Sequence, residues 1–92
     1  MLQLKRTAQF KRDVKLAKRR GKDINKLMDV IRLIVCESEM PAELRDHELV
    51  SNFKGHRECH IEPDWLLVYR LERNELICTA VRTGTHSDLF NK

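Results

Sequence analysis

At 92 residues the chain has room for one domain, spanning 1–92, and none for a second. A hydrophobic share of 41% excludes wholesale disorder, while no apolar run is long enough to span a bilayer or to act as a secretory signal, so a cytoplasmic protein without a membrane partner is expected. The net charge of +4 is unevenly spread: residues 1–22 hold nine Lys or Arg against one acidic residue, Asp13, whereas residues 23–92 hold nine basic and thirteen acidic residues.

Residues 2–6 (LQLKR) alternate and suit a short first strand. Thr7 is placed to cap a helix in which Phe10, Val14 and Ala17 form one apolar stripe. Lys11, Arg12, Lys15, Lys18 and Arg19 cover the rest of its surface, and Gly21 ends it. Asp23 caps a second helix with a wider stripe of Ile24, Leu27, Met28, Ile31, Ile34 and Val35, which must stop before Pro41. The two helices form an antiparallel hairpin. Residues 42–53 read as a polar loop with some helical turns. A strand over 54–61, a turn at Glu62-Pro63-Asp64 and a central strand over 65–71 follow. Arg73-Asn74 turns the chain into a last strand over 75–82, and Thr83 to His86 break it before a short tail, Ser87 to Phe90. The fold class is α+β, β-α-α-β-β-β, with a helical hairpin packed on a small, mainly antiparallel sheet.

Cys36, Cys59 and Cys78 are odd in number and form no CxxC pair, which supports neither a disulfide framework nor a zinc ribbon. Cys36 and Cys78 read as small buried hydrophobes. Cys59 and His60 point to opposite faces of their strand, so they are not a catalytic pair. The basic first helix is a solvated face, a track for phosphates, or a dock for an acidic partner; composition alone leaves the three open.

The second half of the chain carries His47, His60 and His86, with Asp64, Trp65 and Phe90 nearby. Cleaving RNA at a 2′-hydroxyl needs a base, an acid for the departing 5′ oxygen and cations for the phosphoryl charge. Histidine serves as either acid or base, and arginine fits phosphate. His60 ends one strand, Asp64 lies across the next turn, His86 follows the last strand, and Arg57 and Arg82 lie on the same strands. Singly, each has an ordinary reading: His47 and His56 as loop histidines, Asp64 as a turn residue, Trp65 as core, Phe90 as a plug over the sheet. His47, His60, His86 and Asp64 are also an acceptable zinc ligand set, though without a compact motif.

The motifs RDH at 45–47, HIEPDWLLVY at 60–69 and GTHSDLF at 84–90, with KRDVKLAKRRGKDINKL at 11–27, carry a specific pattern. Over essentially its full length the chain resembles the YafQ-type toxins of the RelE/ParE superfamily of bacterial type II toxin–antitoxin systems. The resemblance implies a RelE-like fold and a ribosome-associated mRNA endoribonuclease that works by 2′-hydroxyl attack, leaves a 2′,3′-cyclic phosphate and needs no cofactor or metal. It implies His86 as general acid and His60 as the favoured base, oriented by Asp64, with His47 and Phe90 completing the site. Lys54, Arg57 and Arg82 become phosphate contacts. The implied partners are mRNA on the ribosome and a small antitoxin with a flexible, acidic wrapping segment; operator DNA is reached only through the antitoxin. Lys11, Arg12, Lys15, Lys18 and Arg19 suit that antitoxin segment and ribosomal RNA equally. His56 and Cys59 fall beside the motif without a role. Two other classes compete: a ParE-like toxin that binds DNA gyrase without cutting RNA, and a nucleic-acid-binding module with a structural metal.

Overall fold

The architecture follows from where the local stop signals fall. In the computed structural model, which describes residues 1–50 and 53–90, strand β1 (Gln3–Arg6) gives way to helix α1 (Ala8–Arg19) at Thr7. The Thr7 hydroxyl accepts from the Phe10 amide at 2.9 Å and donates to the Val81 carbonyl at 2.7 Å, so the helix start is also tied to the last strand. Gly21, at φ 82°, ends α1 in a Schellman motif: Lys22 N–H reaches the Ala17 carbonyl and Gly21 N–H the Lys18 carbonyl, each at 3.0 Å. Asp23 caps α2 (Ile24–Val35) by accepting from the Asn25 amide at 3.0 Å.

Phe10 and Ala17 are buried and Val14 partly so, as the stripe on α1 requires. On α2 the buried set is Leu27, Val30, Ile31 and Ile34; Met28, expected in the stripe, is 38% exposed. The buried face is thus rotated toward Val30, because α2 meets a sheet and α1 together. Cys36 is exposed rather than buried: it is the C-terminal cap of α2, and Glu37 at φ 55° turns the chain outward there.

The sheet has five strands in the order β1-β5-β4-β3-β2, with β2 (His47–Glu48), β3 (Arg57–Glu62), β4 (Trp65–Glu72) and β5 (Ile77–Gly84). β2 through β5 are antiparallel, and β1 runs parallel to β5 with Gln3 opposite Ile77. Strand β3 starts at Arg57 rather than 54, because Gly55 at φ 88° still belongs to the turn. A 3-10 turn, Arg73–Glu75, replaces the expected two-residue turn and moves β5 to 77–84. The tail expected at 87–90 is a third helix, α3 (His86–Phe90).

Helices α1 and α2 cover one sheet face, packing on Cys59, Trp65, Leu67, Tyr69, Cys78 and Ala80. The opposite face carries a smaller cluster of Leu66, Val68 and Leu89, with Leu49, Phe53, Val81 and Phe90 against it. Both faces of β4 are therefore buried, as its continuous apolar run requires. A β-bulge between His60 and Glu62 re-aims the end of β3. Glu62 there meets Lys22 and Lys26, each at 3.0 Å.

Candidate active site

The alternation of β3 puts Glu58 and His60 on the face away from the large core, opposite Val68 and Leu66 of β4. The Pro63 turn presents Asp64, and α3 begins with His86 at the end of the neighbouring strand. Two imidazoles meet as a result: the rings of His60 and His86 lie 5.7 Å apart between centroids, tilted by 56°.

Each ring has its own partner. Asp64 Oδ1 accepts from the His86 backbone amide at 2.9 Å and lies 2.5 Å from His86 Nδ1. A carboxylate only accepts, so Nδ1 carries the proton and Nε2 faces outward. The His86 amide first, and its ring second, hold the Asp64 carboxyl below the usual carboxylate range. His60 Nδ1 lies 3.3 Å from the Pro63 carbonyl, a contact in which the ring nitrogen donates. Asp64 was expected to orient His60; it binds His86 instead, because the turn at Pro63 carries it past β3 toward the start of α3.

A second carboxylate completes the arrangement, and sequence reasoning missed it. Glu58 is only 6% exposed; its Oε2 lies 3.1 Å from His47 Nε2 and 3.9 Å from His60 Nε2. Its Oε1 is buried with no hydrogen-bond partner among the described residues. His47 Nδ1 in turn lies 2.6 Å from the Arg45 carbonyl. Both nitrogens of His47 therefore face acceptor oxygens. The available signal was parity: Glu58 stands two residues before His60 and must share its face. Among the described residues, no group of three or more His, Cys, Asp or Glu side chains has the disposition of a metal site.

Comparison with known proteins gives this geometry a family. The family described as a bacterial toxin of type II toxin–antitoxin systems, YafQ, matches residues 2–91. The chain belongs to the YafQ toxin family. It is 45% identical over 85 residues to the mRNA interferase toxin YafQ of Escherichia coli strain B / BL21-DE3, covering 91% of this chain and 90% of that protein. The crystal structure of YafQ from E. coli BL21(DE3) superposes with a TM-score of 0.90 at 41% identity, over 98% of this chain and 99% of that one. YafQ in the E. coli DinJ–YafQ complex gives 0.88 at 42% identity over the same shares. A metal-bound toxin from Helicobacter pylori gives 0.92 at 36% identity, over 98% of this chain and 100% of that one. Membership in the YafQ family sets the ParE alternative aside.

The remaining residues of this YafQ-family toxin are placed as follows. Phe90 packs on the smaller cluster and meets Phe53 edge-on, 5.4 Å between centroids at 88°. His56 meets the same Phe53 at 5.9 Å, and its Nδ1 is buried without a partner among the described residues. Trp65 is core, donating through Nε1 to Thr83 Oγ1 at 3.0 Å. Arg57 faces the helix side, where Asp46 holds it at 2.8 and 3.2 Å and also accepts from the Tyr69 hydroxyl. Arg82 binds the buried Asp13 at 2.9 and 3.1 Å. Both guanidiniums thus hold carboxylates of their own. Lys54 is exposed in the loop before β3. Cys59 sits in the large core, where burial pushes its thiol up to about 12, so it is no nucleophile. On α1, Lys11, Arg12, Lys15, Lys18 and Arg19 are all exposed. No helix among the described residues is long and apolar enough to cross a membrane.

Proposed function

We propose that this toxin is an mRNA endoribonuclease that cuts on the ribosome without a metal ion and is held in check by a cognate antitoxin. The observation that carries the reading is the pair of differently partnered imidazoles, 5.7 Å apart. His60, with Nδ1 turned to a backbone carbonyl, offers Nε2 as a base. His86, with Nδ1 held by Asp64, turns its other nitrogen, Nε2, to the substrate as the acid.

The reaction divides between them. His60 Nε2 takes the 2′-hydroxyl proton as the 2′ oxygen bonds to phosphorus. The bond from phosphorus to the 5′ oxygen breaks, and His86 supplies the proton to that oxygen. The products are a 2′,3′-cyclic phosphate and a 5′-hydroxyl, and no water is consumed. Charge on the phosphoryl oxygens needs a cation. Arg57 and Arg82 are occupied by Asp46 and Asp13, and Lys54 lines a concavity with Glu72 and Arg73 rather than with His60, so His47 is the better candidate for it. Exposed Arg45 lines a concavity of about 460 Å³ beside His60 and is a further candidate. Phe90 supplies an apolar face beside the pair.

The E. coli relative crystallised with DinJ motivates the antitoxin. The exposed cations of α1 suit either its acidic segment or ribosomal RNA, in a cytoplasmic setting; operator DNA is approached only through the antitoxin.

The test uses programmed ribosomes, with mapping of the mRNA ends after exhaustive chelation. His86→Ala should lose about 10²–10⁴-fold in cleavage rate and keep its antitoxin affinity. A 2′-deoxy substitution at the scissile nucleotide should stop the wild type. A bridging sulfur at the 5′ position, which needs little protonation, should rescue His86→Ala more than His60→Ala. Equal rescue of both refutes the assignment of acid and base, and activity that only a metal restores refutes the metal-free reaction.

A further inference from the structure

Helix α3 has five residues, far too few to be stable on propensity alone. Something else must hold the turn from which His86 projects. Thr85 and Asp88 cap each other: the Thr85 amide donates to Asp88 Oδ2 at 2.9 Å, and the Asp88 amide donates to Thr85 Oγ1 at 3.0 Å. The same carboxylate receives both arms of Arg20, at 2.6 and 3.3 Å. Arg20 is the C-terminal cap of α1, on an element 68 residues away in sequence. Gly84 packs so closely that a Cβ there would come within 2.9 Å of Asp88 Cβ. Leu89 is buried in the smaller cluster. His86 is therefore gripped twice, by Asp64 through its own amide and ring, and by Asp88 through the frame of the turn.

We infer that Arg20 and Asp88 are positioning residues for His86, clamping α3 onto α1 so that the imidazole stays aligned between Asp64 and the scissile phosphate. The inference rests on the reading of His86 as the acid. The Arg20 side chain is 44% exposed, and an ion pair that open to water adds little to global stability. Its effect is local, on a helix with little else to hold it. Removing it should leave the fold intact while letting the imidazole drift, and small misplacements of a reacting group are costly in rate.

The experiment compares Arg20→Met, Asp88→Asn and Arg20→Lys with the wild type. Single-turnover cleavage of mRNA on programmed ribosomes gives the maximal rate and the toxin concentration for half-saturation. Nitrogen NMR on ¹⁵N-histidine protein, at a pH high enough to leave the ring neutral, gives the tautomer of His86 without reference to activity. Arg20→Met and Asp88→Asn should lose on the order of 10- to 100-fold in maximal rate, with half-saturation unchanged. Their His86 ring should shift away from the Nδ1–H tautomer that Asp64 selects. Arg20→Lys should recover most of the rate. An unchanged tautomer with an unchanged rate overturns the clamp. So does a raised half-saturation with the rate intact, which would make Arg20 a direct contact to RNA. If the wild type cuts no RNA, the reading of the site fails, and the tautomer measurement still decides whether the clamp exists.

Discussion

Asp13 offers the sharpest test of what holds the end of β5 in place. It is a carboxylate only 6% exposed on the inner face of α1. It accepts from Arg82 at 2.9 and 3.1 Å, from the Thr83 amide at 3.1 Å and from Gln9 at 3.0 Å. Replacing it by alanine strands the buried Thr83 amide, worth about 1–3 kcal/mol, and releases Arg82. Breaking a fully buried pair costs about 3–5 kcal/mol. The Arg82 side chain is 28% exposed and regains some water, so about 3 kcal/mol is expected. A 92-residue chain has a total stability of roughly 5–14 kcal/mol, so the variant should fold with a small margin. The melting temperature should fall by about 12–24 °C. Asp13→Asn keeps an acceptor for Thr83 and should lose about half as much. Urea unfolding of Asp13→Ala, Arg82→Met and the double variant gives the coupling between the two side chains. Strict additivity, or a loss under about 1 kcal/mol for Asp13→Ala, would show that the network does not hold β5 and would free Arg82 to serve as a phosphate contact.

Neutralising three of Lys11, Lys15, Lys18 and Arg19 should weaken ribosome or antitoxin binding and flatten its salt dependence, by roughly one unit of log-log slope for each phosphate no longer neutralised; unchanged affinity for both would make the patch a solvated face. Arg20 first, and the Thr85 amide second, pull the pKa of Asp88 from 3.8 down to about 2. Its stabilising effect is therefore complete above the unfolded value and disappears as the pH falls toward 2. The difference in urea midpoint between wild type and Asp88→Asn should be small at neutral pH, under about 1 kcal/mol in free energy, and should close in acid; a difference independent of pH would contradict the pairing.

The legible parts of this chain were those governed by neighbours in sequence. Thr7, Gly21 and Asp23 are local stop and start signals, and each makes the contact its type suggests. The apolar run of β4 announced its burial on both faces. What escaped depends on partners chosen in three dimensions. Met28 and Val30 exchange places because the width of a helical stripe does not say which edge meets the sheet. A two-residue strand and a five-residue helix are shorter than any period that could betray them. Glu58 went unremarked in the sequence, because its burial depends on His47 arriving from another strand. His60, Asp64 and His86 were found together through the family resemblance, whereas the pairing of Asp64 with His86 depends on the path of the Pro63 turn.

The parallel contact of β1 with β5 bears on the order of assembly. The antiparallel strands β3, β4 and β5 follow one another through short connections. The hydrogen bond from Thr7 to Val81, by contrast, spans 74 residues. Closing that longer loop costs about 2.4 kcal/mol more in chain entropy than closing a hairpin of about five residues, at about 0.6 kcal/mol for each doubling. The three-strand meander is thus expected to form early and to wait with one edge of β5 bare. Unpaired amides and carbonyls on such an edge accept any extended segment that reaches them. During such an interval the bare edge of β5 would be open to an extended segment other than the protein's own β1.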